Sequence, residues 1–255
     1  MIWVVIFACL IALPTGWSLY AKPSLERSTV MLPPAAGSVA PAGKDDVLTI
    51  LYSGDGGWAD LGKQLGDDFA ARGIPVLGVN VFRYFWRSRP PDVAATELDA
   101  LISKSLQQWH KRRVWLVGFS FGADVLPMLV DRLSPANHRR IAQVVLLAPE
   151  RSVGFEIQFE GYMLAAGRVK AFVKTLLEKF NKVEHYDALP PLEAINNRVP
   201  VVCYYGKREV AYSLCTEPRL PAWVTVHEKE GDHHFAGGYA PLAAQMIAEL
   251  PARRG

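Results

Sequence analysis

Residues 114–122 read V-W-L-V-G-F-S-F-G, an apolar run that breaks at a serine with a glycine two places to either side. A serine hydroxyl attacks a carbonyl only when a base takes its proton and a tight turn lifts it clear of its neighbours. Gly118 and Gly122 supply the small neighbours that such a turn needs, which makes Ser120 the candidate nucleophile. The base and its orienting acid must come from further along the chain. G-D-H-H-F at 231–235 offers two adjacent imidazoles. His233 is favoured because comparable loops place the base in an H-x-F spacing, and His234 is the alternative. The expected acid is Glu209, just past the strand-like V-V-C-Y-Y-G, with Asp187, Glu217 and Asp232 as competitors. Asp187 falls in an insertion, and Asp232 adjoins the base too closely to grip its far nitrogen. His227 lies inside a strand pattern and reads as structural. With these groups the histidine accepts the serine proton, and the carboxylate fixes its tautomer and steadies the imidazolium.

Attack on a carbonyl needs donors for the oxyanion. The N–H of Phe121, next after the serine, is one candidate, and the segment S-G-D-G-G-W at 53–58 supplies the others through Gly54 and Asp55. No Gly-Lys-Ser/Thr follows these glycines, so a phosphate-cradling nucleotide loop is excluded. Asp55 is out of place beside a developing negative charge unless the substrate brings a cation. R-Y-F-W-R at 83–87 mixes cations with aromatics, a composition suited to a phosphate beside apolar chains. Arg83, Trp86 and Arg87 are therefore candidate substrate contacts.

These residues must be carried by a frame, and the hydropathy pattern supplies one. Strand-like runs at 47–52, 75–81, 114–117, 143–148, 200–205 and 223–228 alternate with helical stretches at 60–73, 92–112, 122–133 and 239–250. Such alternation predicts an α/β fold, a mostly parallel sheet of about six strands with helices on both faces. The order Ser, acid, His along the chain is that of an α/β-hydrolase, with the N-terminal antiparallel strands expected to be missing. Residues 150–195 form an insertion after the fourth strand. Within it, R-V-K-A-F-V-K-T-L-L-E-K-F at 168–180 has apolar residues at helical spacing and is expected to pack on the sheet; a lid or membrane-surface helix is the sharper reading.

The chain has 255 residues, half of them apolar, and a net charge of +3, enough for one sizeable domain and too little to imply a nucleic-acid partner. Residues 2–13 are an unbroken apolar run, read with the rest of 1–21 as an export signal or an uncleaved inner-membrane anchor. Residues 22–46 have linker composition, which starts the domain at 47. In an oxidising compartment Cys203 and Cys215 form an even pair whose bridge would close the loop carrying Glu209; two buried thiols are the alternative. The histidines lack ligand spacing, so no metal and no cofactor is expected.

The blocks S-G-D-G-G-W, R-Y-F-W, G-F-S-F-G-A-D-V-L-P, the C-Y-Y-G…C loop and G-D-H-H-F together resemble the bacterial VirJ/AcvB virulence-protein family over about residues 47–240. The resemblance implies a periplasmic α/β-hydrolase acting on lysyl-phosphatidylglycerol, an aminoacylated phospholipid. It implies Ser120 as nucleophile, His233 or His234 as base and Glu209 as acid, although this chain has K-R-E-V where relatives are more acidic. It also implies contact with a membrane surface and a secretion-system partner. The alternatives are a carboxylesterase or thioesterase of the dienelactone-hydrolase type, or a non-catalytic partner that keeps the fold.

Overall fold

A computed structural model describes residues 22–157, 184–196 and 198–253. The readings of 1–21 as signal or anchor and of 168–180 as an amphipathic helix lie outside these residues.

The frame is a seven-stranded sheet in the order β1-β3-β2-β4-β5-β8-β9. Its strands are β1 (Thr29–Leu32), β2 (Val47–Tyr52), β3 (Val76–Val79), β4 (Arg113–Phe119), β5 (Ile141–Leu147), β8 (Val201–Gly206) and β9 (Thr225–Lys229). β6 (Ser152–Gly154) and β7 (His185–Asp187) pair antiparallel as a separate ribbon inside the insertion. Every residue of β2 and β5 is buried, the signature of strands covered on both faces and the reason they read as continuous apolar runs. Helices α1 (Asp60–Ala71) and α5 (Tyr239–Glu249) bury Leu61, Leu65, Phe69, Leu242 and Met246 against one face. The opposite face is covered by α2 (Pro91–Gln108), α3 (Phe121–Asp131) and α4 (Leu189–Ile195), through residues such as Leu98, Leu126 and Leu192. Each such fully buried aliphatic side chain contributes about 1.5–3 kcal/mol.

Two departures from the sequence reading concern the N-terminal edge. Residues 22–46 are not a plain linker, because Thr29–Leu32 pairs antiparallel with β3, in register from Thr29 on Val79 to Leu32 on Val76. The sheet accordingly has seven strands, and one antiparallel N-terminal strand is present. Four residues ending at Pro33-Pro34 are too few to show a period, and an edge strand that hydrogen-bonds on one side tolerates the prolines that follow. Leu25 is already buried, its N–H donating to Glu97 Oε2 at 2.6 Å.

The other strands of the sheet run parallel, so the C-terminal ends of β2, β4, β8 and β9 share one edge. The order reverses at β2, with β3 on one side and β4 on the other, and loops diverge at such a point to leave a crevice. At the far edge Asp46 and Arg113 join the starts of β2 and β4 through two hydrogen bonds, 2.7 and 2.9 Å.

Candidate active site

Ser120 stands between β4 and α3 with φ 53° and ψ −125°, a left-side backbone conformation costly for a residue with a side chain. The glycines around it are required by contact. A Cβ on Gly118 would lie 2.4 Å from the carbonyl oxygen of Gly122, and one on Gly122 would lie 2.6 Å from the carbonyls of both Tyr52 and Ser53. The helix that follows the serine is thus pressed directly against the end of β2. Phe121 occupies the first position of α3, where backbone N–H groups have no partner within the helix.

The loops after β8 and β9 are pressed together in a similar way. Gly206 ends β8 where a Cβ would meet the Asp232 carbonyl at 2.3 Å, and the Arg208 N–H donates to the Gly231 carbonyl at 3.1 Å. Gly231, at φ 99°, turns the second loop back over the first. The outcome is that His233 Nδ1 lies 2.6 Å from Glu209 Oε1. Glu209 is 6% exposed, and its Oε2 is buried with no hydrogen-bond partner. A carboxylate only accepts, so Nδ1 carries the proton and Nε2 is left as the basic nitrogen. The competitors to Glu209 are engaged by arginines: Asp187 and Glu217 both pair with Arg151, and Asp232 faces Arg208. The His234 ring pairs with no carboxylate among the described residues; its Nδ1 stands 3.4 Å from the Tyr239 hydroxyl. His227 Nε2 lies 3.0 Å from Glu249 Oε1, and its ring packs against Tyr204.

Ser120, His233, His234, Gly54, Asp55 and Phe119 line one cavity of about 140 Å³. The serine and the imidazole both border it, without a direct hydrogen bond between them. Asp60, which lines it too, gave no sequence signal beyond its place at the start of a helix. Asp124 was also missed. It sits four residues after the nucleophile, and its Oδ1 accepts from the Glu150 N–H at 2.7 Å. Burial lifts its carboxyl well above the usual carboxylate range; the Glu150 N–H opposes this, and the negative charges of Glu150, Asp55 and Glu209 add to it. The signal available in the sequence was a lone carboxylate inside the otherwise apolar F-G-A-D-V-L-P-M-L-V.

Arg83, Trp86 and Arg87 are not in this cavity. With Lys22, Phe82 and Tyr84 they line a second one of about 330 Å³. The two adjoin at Phe82, whose Cβ is 3.3 Å from the place a Cβ on Gly57 would take. Cys203 and Cys215 are joined in a disulfide with their Cα atoms 5.7 Å apart, and Glu209 lies in the loop that this bond closes.

A parallel sheet with an elbow after β4, an acid after β8 and a histidine after β9 defines the α/β-hydrolase class. Solved structures agree on the fold. The monoglyceride lipase of Saccharomyces cerevisiae superimposes with a TM-score of 0.55 at 12% identity, over 87% of this chain and 90% of that one. A Pyrococcus furiosus esterase, Pf2001, gives 0.53 at 14% identity, over 86% and 90%. An alpha-beta serine hydrolase homologue from Coxiella burnetii gives 0.51 at 14%, over 88% and 91%. No curated protein matches the sequence. The chain belongs to the VirJ family, described as bacterial virulence protein, whose model matches residues 46–254.

Proposed function

We propose that this protein is a serine hydrolase that cleaves the aminoacyl ester of a lysyl-phosphatidylglycerol-type phospholipid on the periplasmic side of the inner membrane. The observation that carries the reading is the 2.6 Å pair of His233 and Glu209 bordering the cavity of an elbow serine. Ser120 Oγ attacks the lysyl carbonyl while its proton passes to His233 Nε2. The oxyanion is held by the Phe121 N–H and by N–H groups of Gly54 and Asp55. Collapse breaks the ester bond, and the departing glycerol oxygen takes the proton from His233. That alcohol is phosphatidylglycerol; water, deprotonated by the same nitrogen, then attacks the lysyl-serine ester, and as lysine leaves, Ser120 Oγ takes the proton back from His233.

Substrate charge supports this choice over a neutral ester. Asp55 lines the cavity of Ser120 and Glu209 stands behind His233, a pair of carboxylates that favours a substrate with ammonium groups near its carbonyl. Arg83, Arg87 and Trp86 in the adjoining cavity suit the phosphate and the start of the acyl chains. The disulfide and the apolar segment 2–13 fit an exported protein.

Fluorophosphonate labelling tests the chemistry: it is expected at Ser120 and lost in Ser120→Ala. An unlabelled native protein would overturn the enzyme and leave the secretion-partner reading. A panel of aminoacyl-phosphatidylglycerols then tests the substrate, with lysine released fastest. Faster cleavage of simple esters or thioesters would instead favour a general esterase.

A further inference from the structure

The larger cavity differs in character from the one at Ser120. Its walls combine the aromatic rings of Phe82, Tyr84 and Trp86 with the cations Lys22, Arg83 and Arg87. Trp86 is 45% exposed although its ring packs edge-on against Phe82 at 4.9 Å. A large indole held at a rim, half in water, beside basic side chains is the arrangement found where proteins meet the interfacial layer of a bilayer.

The path of the chain points the same way. Lys22 Nζ donates to the Ser88 carbonyl at 2.8 Å, so the first described residue is seated at the cavity. The residues behind it are locked down. Arg89 donates to the Pro23 carbonyl and pairs with Glu97 at 2.9 Å, and Glu97 also accepts from the Leu25 N–H. Residues 22–25 are therefore fastened beside this cavity. Only residues 14–21 separate Lys22 from the apolar run 2–13, and at about 3.5 Å per residue they reach at most roughly 30 Å. An apolar segment placed in a bilayer keeps the cavity within that distance of it. The basic residues of His110–Arg113 and His138–Arg140 lie at or just before the starts of β4 and β5, at the edge of the sheet remote from this cavity.

We propose that this cavity is where the domain docks on an anionic bilayer, taking a phosphatidylglycerol-class phosphate among Lys22, Arg83 and Arg87 with Trp86 in the interfacial layer. The proposal deepens the assignment of Arg83 and Arg87 to a lipid phosphate and rests on it. It does not require that the bound lipid be cleaved. Docking in this orientation brings the cavity of Ser120, one phenylalanine away, to the membrane surface where an aminoacylated headgroup would stand.

Hydrogen–deuterium exchange on the full chain carrying Ser120→Ala tests it, in nanodiscs of phosphatidylcholine alone or mixed with phosphatidylglycerol lacking any aminoacyl group. Amides of residues 82–89 are expected to exchange at least about fivefold more slowly on the anionic discs, with no difference at 110–113 or 138–140. The slowing should fade as salt is raised past about 0.5 M and vanish in Arg83→Glu/Arg87→Glu, whose β4 and β5 amides report whether that variant is folded. Equal exchange on both lipids, slowing at the far edge instead, or the same slowing with soluble glycerol phosphate and no disc would each overturn docking. Failure of hydrolysis alone leaves this measurement untouched, because neither the protein variant nor the lipid can react.

Discussion

Asp124 Oδ1 accepts a 2.7 Å hydrogen bond from the backbone N–H of Glu150, fastening the helix that follows Ser120 to the loop after β5. Glu150 in turn bridges to Ser213, and the Ser213 N–H donates to the Glu209 carbonyl at 3.1 Å. A continuous path of hydrogen bonds thus runs from the helix after Ser120 to Glu209. Asp124→Asn keeps an acceptor and is expected to retain turnover within about threefold. Asp124→Ala leaves the Glu150 N–H unpaired, at a cost of about 1–3 kcal/mol, and should lower kcat more than it changes KM. Burial raises the carboxyl's affinity for its proton in the folded state. Its favourable contribution is complete below the unfolded carboxylate range and is lost as pH rises through the raised value. Chemical denaturation against pH should show wild type losing stability relative to Asp124→Asn as pH increases; parallel curves would refute this.

The two histidines separate by their partners. Glu209→Gln and His233→Ala are each expected to reduce kcat by about 10³-fold or more, in line with loss of a base or its orienting acid. His234→Ala, which removes a contact to the Tyr239 hydroxyl and ring contacts to Phe119 and His233, should cost less than about tenfold. Comparable losses from both histidine variants would move the base elsewhere.

Asp55→Ala is expected to slow hydrolysis of a lysyl ester much more than that of an uncharged ester of the same alcohol. Steady-state kinetics on the pair is the measurement, and equal losses would remove Asp55 from recognition.

The disulfide closes a short loop, worth about 3 kcal/mol by loop entropy. Cys203→Ala/Cys215→Ala should lower Tm by roughly 6–12 °C at this chain length. Because Glu209 lies inside that loop, kcat should fall as well. An unchanged kcat would show that the 3-10 turn at Lys207–Glu209 holds the acid unaided.

Acid stability should depend on Asp46. Burial pushes its carboxyl up, but hydrogen bonds and charge from Arg113 more than reverse this and hold it below the usual range. That contribution is present above the unfolded carboxylate value and is lost as pH falls through the lower folded value. Asp46→Asn should cost about 3 kcal/mol at neutral pH by leaving Arg113 half-paired, with a smaller difference from wild type as the pH falls below 3.

Much of the frame was legible because parallel strands buried on both faces leave unbroken apolar runs such as V-L-T-I-L-Y. The elbow was legible because Gly118 and Gly122 admit no side chain. Thr29–Leu32 escaped notice, since it acquires its structure from β3 rather than from its own pattern. Adjacent histidines cannot be told apart by spacing alone. What distinguishes His233 is a carboxylate 24 positions away, brought near by the contact of Gly206 with Asp232. Asp124 was hidden by its setting, because a single acid on a helix ordinarily reads as a solvated position.

The closeness of Gly122 to the carbonyls of Tyr52 and Ser53 has a thermal corollary. Ser120 and the end of β2 share one seam with no room to slide, whereas Arg83, Trp86 and Arg87, the proposed substrate contacts, lie outside it. Warming the protein should therefore erode its discrimination between esters well before it dulls the reactivity of the serine itself.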